Sequence, residues 1–309
     1  MENWDIIIIG AGSAGLAAGI YAIRSGLKTL ILDEKLAGGN ISDAPNVENY
    51  PGFTKISGHE LSEKMISQCK KLGVTIHELE TVNKLQLDGE TKTVTTHNTT
   101  YLTKTVLLAT GSHHKTLEVK GEKALQGRGV SYCGICDGPF FKGKNVVVIG
   151  GGNSACITSL YLSDIAKQVT IIHRRNAFKA EHKLSLDVTS KSNVDVLWNT
   201  EIEEIKGDKQ VKTVALKNNV TGVKTEFVVD AVFVQVGETP NSAVAKVSGV
   251  ETDEVGYIKI NLKQETNLSG VYAAGDVTTH PIKQVGTAVG QGITAALQAH
   301  SYIRRHLQK

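Results

Sequence analysis

Two segments of this chain share one grammar. In the first, the apolar run Asp5 to Ile9 leads into Gly10-Ala11-Gly12-Ser13-Ala14-Gly15, a helix-compatible stretch to Arg24, and a second apolar run, Thr29 to Leu32, that ends at Asp33. In the second, Asn145 to Ile149 leads into Gly150-Gly151-Gly152-Asn153-Ser154-Ala155, another helix-compatible stretch, and Val169 to Ile172, ending at His173-Arg174-Arg175. Each predicts a strand, helix and parallel strand. Glycines at this spacing permit the tight turn, a close backbone approach to a diphosphate and close helix–strand packing, while the helix start offers unsatisfied N–H groups and a positive dipole end. The pattern predicts an α/β chain with two Rossmann-like nucleotide-binding domains.

The two second strands end in opposite charges. Asp33 repels a 2′-phosphate and is placed to accept hydrogen bonds from a ribose with a free 2′-hydroxyl, as in FAD or NAD. His173, Arg174, Arg175 and nearby Lys179 suit the 2′-phosphate of NADPH. Residues 73–110 and those after 190 alternate apolar and polar residues, predicting an antiparallel excursion in each half. A length of 309 residues suits two domains.

A net charge of +3, from 34 basic and 31 acidic residues, supplies no field for a polyanion, so no nucleic-acid partner is expected. The uncharged stretch 6–23 is long enough to suggest a membrane span, but four glycines interrupt it and Asp5 precedes it; strand, turn and helix are expected instead, with no membrane association. Four cysteines do not make the dense framework of a secreted mini-domain, so a cytoplasmic, reducing compartment is expected.

The motifs "GAGSAG", "GGNISDAPNVENYPGF" (38–53), "ATG" (109–111), "YCGICDG" (132–138), "GGGNSA" (150–155), "HRRNAFKAE" (173–181) and "AAGDV" (273–277) occur in an order that resembles the low-molecular-weight thioredoxin reductases over nearly the whole chain. The resemblance implies the FAD/NAD(P)-binding disulfide-reductase fold, with an NADPH domain (114–244) inserted into an FAD domain (1–113 and 245–309). It implies a homodimer that holds FAD non-covalently and uses NADPH to reduce thioredoxin or a glutaredoxin-like dithiol protein, contributing to cell redox homeostasis. For FAD it implies Gly10, Gly12, Ser13, Ala14, Gly15, Asp33, Glu34, Gly39, Asn40, Asn49, Thr110, Gly111, Gly275, Asp276, Lys283, Gln284 and Val285. For NADPH it implies Gly151, Gly152, Asn153, Ser154, Ala155, His173, Arg174, Arg175 and Lys179. The NADPH domain would rotate between two docked states about the crossings near 113 and 244, with Gly237 and Pro240 flanking one.

Cys133 and Cys136 are separated by Gly134 and Ile135. A structural zinc takes four N or S ligands, commonly in two closely spaced pairs, and no second pair exists, so no metal is expected. So small a loop gains little as an entropic staple. A redox couple remains, its thiol pKa lowered where the pair opens a helical turn. By the resemblance, Cys136 faces the flavin, Cys133 attacks the substrate, and Asp137 manages protons; the alternative role for Asp137 is an N-cap. Relatives fed by ferredoxin or coupled to O₂, and a flavin redox sensor without turnover, are the competing functions. Cys156 reads as a buried small hydrophobe.

Overall fold

The computed structural model describes residues 3–44 and 47–306; Pro45 and Asn46 of one motif lie outside them. The chain divides into two compact units, Met1–His113 with Thr239–Lys309, and His114–Glu238.

The first unit is built on β1 (Asn3–Ile9), α1 (Ser13–Arg24) and β2 (Thr29–Leu32). Ile6, Ile7 and Ile8 of β1 are all fully buried, so both faces of the strand are covered, as expected for the centre of a parallel sheet. Helix α2 (Gly58–Lys71) starts where Ser57 Oγ accepts a hydrogen bond from the Glu60 N–H at 3.1 Å, a cap that satisfies one of the free first-turn donors. The sheet continues with β3 (Thr75–His77), β4 (Val82–Gln86), β5 (Lys92–Thr96) and β6 (Thr100–Leu108), in the order β3-β2-β1-β6-β5-β4. The last three strands are the expected antiparallel excursion. Strand β6 stops at Leu108, leaving Ala109, Thr110 and Gly111 as irregular backbone beyond its carboxyl end.

Between the units the chain runs through β7 (Ser112–His114) on the way out, then through β8 (Val130–Ser131), α3 (Gly134–Asp137), β9 (Asn145–Ile149), α4 (Asn153–Ser163), β10 (Gln168–Ile172), α5 (His182–Thr189) and β11 (Val194–Leu197) of the second unit. An antiparallel set follows, β12 (Thr200–Gly207), β13 (Val211–Asn218) and β14 (Lys224–Val228), then β15 (Ala231–Val234). The parallel sheet of this unit has the order β11-β10-β9-β15-β8.

The return crossing is β16 (Glu238–Pro240), followed in the first unit by α6 (Ala243–Val247), β17 (Val271–Ala273) and α7 (Val285–His306). Strand β17 pairs with the carboxyl half of β6 through Val271 and Val106. Helices α1 and α7 share a core of small residues, Ala14, Ala18 and Ala22 with Ala288, Ala295 and Ala299; short side chains let two backbones approach closely and bury polar groups only where they pair.

Candidate active site

In the first unit the β1–α1 turn meets the end of β2. The N-cap of α1 is Gly12, which supplies no side-chain cap, so first-turn N–H groups face outward from a backbone surface. Gly12 faces Gly39: a Cβ on Gly39 would lie 2.8 Å from the Gly12 Cα, so glycine at 39 permits this approach. Asp33 closes the cradle. Its Oδ2 accepts from the Ala11 N–H at 2.6 Å and its Oδ1 from the Lys35 N–H at 2.8 Å. Burial pushes its carboxyl above the usual range, and those two N–H bonds oppose the shift. Glu34 beside it is exposed.

The other expected first-unit residues fall into three groups. Thr110 is interlocked with Asn241, its Oγ1 donating to the Asn241 carbonyl at 2.7 Å and its own carbonyl accepting from Asn241 Nδ2 at 2.8 Å; Gly111 accepts from the Asn241 N–H at 3.0 Å. Asn40 Nδ2 donates to the Ser112 carbonyl at 2.8 Å, and Asn49 Nδ2 to Gln284 Oε1 at 3.1 Å. At the start of α7, Lys283 Nζ donates to the carbonyls of Asp276 and Thr278 and lies 4.3 Å above the Tyr257 ring. Gly275 donates its N–H to Gln291 Oε1 at 2.7 Å, while Gln291 Nε2 is buried with no protein partner. Gln291 belongs to no sequence motif. A backbone-lined cradle, uncapped helix donors, a terminal acid and an orphaned buried donor together fit a dinucleotide.

The second unit repeats the turn with the opposite charge. A Cβ on Gly151 would lie 2.2 Å from the His173 ring, so glycine is required there by the imidazole packed under the loop. His173 is 7% exposed, its Nε2 is 3.1 Å from the Ala177 carbonyl, and burial holds its pKa down, with the neighbouring arginines adding to the shift. It is therefore a neutral support for the loop, and the cations at this strand end are the exposed Arg174, Arg175 and Lys179. The Lys179 N–H donates to the Gly151 carbonyl at 2.7 Å. Gly152 caps α4 without a side chain, like Gly12, and Ser154 is exposed while Ala155 is buried. Asn153 and Glu181 bond reciprocally, at 2.9 and 3.1 Å.

Cys133 and Cys136 form a disulfide, with S–S 2.12 Å and Cα–Cα 5.3 Å. Cys133 is the N-cap of α3, and its Sγ accepts a hydrogen bond from the Cys136 N–H at 3.2 Å. The Cys133 N–H donates to Ser131 Oγ at 3.0 Å. Asp137 ends α3. It makes no capping bond to the following turn, which removes the N-cap role. Burial raises its carboxyl pKa, against an opposing hydrogen bond from Ser131. Tyr132 is anchored on three sides: its hydroxyl donates to Glu122 Oε1 at 2.8 Å, its ring stacks on His114 at 5.3 Å, and its carbonyl accepts from Gln235 Nε2 at 2.9 Å. Cys156 is buried with its thiol pKa raised by burial, and buried Cys69 is pushed up to about 12 by the same cause.

The profile of the pyridine nucleotide-disulphide oxidoreductases matches residues 4–292. The chain belongs to that family. It is 42% identical over 302 residues to the thioredoxin reductase of Bacillus subtilis (strain 168), covering 97% of this chain and 95% of the relative. The crystal structure of thioredoxin reductase from Streptococcus pyogenes MGAS5005 superposes with a TM-score of 0.94 at 37% identity, covering 98% of both chains. A ferredoxin-flavin thioredoxin reductase from Clostridium acetobutylicum is also similar, with 35% identity, a TM-score of 0.54 and coverage of 98% and 99%. The family's mixed α/β fold with two parallel Rossmann-like sheets agrees with the topology described above. Among the described residues no helix is long and apolar enough to cross a membrane.

Proposed function

We propose that the chain is an NADPH-dependent flavoprotein that reduces the disulfide of thioredoxin, or of a glutaredoxin-like protein, through Cys133 and Cys136. The observation that carries this reading is the Cys133–Cys136 disulfide lying directly ahead of a glycine loop whose strand end carries exposed arginines. In this reading the Gly10–Gly15 loop, Asp33, Gly39, Asp276 and the start of α7 hold FAD, and the Gly150–Ala155 loop with Arg174, Arg175 and Lys179 holds NADPH. Bound FAD would supply a two-electron carrier between the pyridine nucleotide and the disulfide.

The chain's own residues then divide the thiol chemistry. Once the pair is reduced, the Cys133 thiolate, stabilised by the Cys136 N–H, attacks a sulfur of the partner's disulfide and expels the other as a thiolate. Cys136 next attacks Cys133 Sγ in the mixed disulfide, which releases the partner's second sulfur and restores the intramolecular bond. Asp137, with its raised pKa, carries a proton to or from the Cys136 sulfur. A homodimeric assembly, a cytoplasmic setting and rotation of the second unit about the crossings belong to the same proposal.

The similarity to a ferredoxin-flavin thioredoxin reductase favours one second reading, in which the donor is a reduced iron–sulfur protein. The purified flavoprotein separates the two when NADPH, NADH and reduced ferredoxin are each offered with oxidised thioredoxin. Sustained NADPH oxidation with matching thiol release, lost in Cys133→Ser, supports the proposal; thiol release with ferredoxin alone overturns it.

A further inference from the structure

Gln291 lies in the second turn of α7, where the buried face is otherwise made of Ala288, Ala295, Ala296 and Ala299. Its side chain is 7% exposed. A buried carboxamide brings one acceptor and two donors that must be paired inside the protein or by something bound to it. The acceptor is used, because the Gly275 N–H donates to Oε1 at 2.7 Å. That bond also orients the group, since an N–H can face only the amide oxygen. Nε2 is therefore turned away from Gly275, and among the described residues no atom accepts from it.

The surroundings of that orphan donor are specific. A Cβ on the adjacent Gly292 would lie 2.1 Å from the Ala14 carbonyl, and one on Gly275 would lie 3.0 Å from the Ala14 Cβ and 3.8 Å from that of Ala288. Gln291 thus stands where the first glycine loop, the Gly275-Asp276 corner and α7 converge, all within one unit. An apolar residue of similar size would leave the Gly275 N–H unpaired, which accounts for the carbonyl half of the amide; the donor half is accounted for by an acceptor that arrives from outside the chain.

We propose that Gln291 is a cofactor-binding residue: Nε2 donates to an oxygen of the diphosphate bridge of FAD, while Oε1 holds Gly275 in position for the same ligand. The inference rests on reading the first unit as the FAD site. A neutral amide is suited to this task, since it completes the donor set of the α1 N-terminus without placing a further charge beside Asp33.

The test is binding, not turnover. Flavin-stripped protein is titrated with FAD, and separately with ADP, following flavin fluorescence and heat respectively, for wild type and Gln291→Glu. The glutamate keeps an oxygen for the Gly275 N–H, loses the donor and adds a negative charge, so Gln291→Met, which removes the donor without adding charge, is titrated beside it and the thresholds below apply to it. Affinity for both ligands is expected to fall by about tenfold or more, one hydrogen bond's worth at about 1.4 kcal/mol per factor of ten. A change within about twofold means that Nε2 serves an ordered water, and overturns the proposal. Weakened FAD with unchanged ADP overturns the assignment to the diphosphate. As a second measurement that needs no folded glutamate variant, the side-chain amide resonance absent from Gln291→Leu should shift when FAD is added to the wild-type apoprotein; an unmoved resonance overturns the proposal. Wild-type apoprotein that is folded but binds no FAD is the failure of the functional reading itself.

Discussion

The backbone N–H of Cys136 donates to the sulfur of Cys133 at 3.2 Å, at the N-cap of α3. A donor aimed at sulfur favours the thiolate, so the two cysteines of the pair are chemically unequal even though the motif is symmetric. In the reduced protein, limiting iodoacetamide should label Cys133 first, as read by peptide mass mapping. Cys69 and Cys156, buried with raised pKa values, should stay unlabelled until the chain unfolds. Equal labelling of the pair, or Cys136 first, contradicts the assignment.

Asp137 has a second testable property. Burial raises its carboxyl pKa in the folded state, so the folded chain holds that proton at a pH where the unfolded chain has released it. The favourable contribution is complete below the ordinary carboxylate pKa and is lost as pH rises through the raised one. Asp137→Asn should therefore melt about 2 °C above wild type near neutral pH and at the same temperature as wild type well below the carboxylate range. Turnover with thioredoxin should fall by about a hundredfold if the carboxyl moves a proton. A variant with normal turnover across pH removes the acid–base role.

At the second strand end, His173 is a buried neutral support and the charge is carried by Arg174 and Arg175. Replacing both arginines with alanine should raise the KM for NADPH by about tenfold or more while leaving that for NADH within about twofold, because only the former has a 2′-phosphate to lose contact with. His173→Ala should instead lower the melting temperature. If the arginine variant weakens both nucleotides equally, selection of the phosphate lies elsewhere.

Tyr132, the residue before Cys133, is tied to a buried carboxylate. Glu122 is 3% exposed and already accepts from the Leu117 and Glu118 N–H groups at 2.9 Å each. Tyr132→Phe removes a hydrogen bond to a charged group and should cost about 1.5 kcal/mol in urea unfolding with an unchanged slope. A cost near zero would mean that the backbone donors alone satisfy Glu122.

Much of this architecture was legible from local pattern. The apolar runs around Gly10–Gly15 and Gly150–Ala155 specify strand, turn and helix because the turn needs glycine and the strands need burial, and both requirements are met by neighbours in sequence. The helix at Gly58–Lys71 went unread, although Ser57 followed three residues later by Glu60 is a capping arrangement that marks a helix start. The burial of His173 was not legible in the same way. In the sequence it is one more basic residue in a run, and only the approach of Gly151 turns it into a buried ring.

By itself the sequence determined two glycine-loop units, a vicinal cysteine pair and opposite charges at the two strand ends, since each follows from residues within one turn of each other. Tertiary structure alone decided that the Cys136 N–H faces the Cys133 sulfur, that Asp137 is a half-buried acid whose side chain makes no capping bond, and that Gln291 meets Gly275 sixteen residues away. Those outcomes depend on burial and on the direction of individual N–H groups, and neither is a property of residue order until the chain has packed.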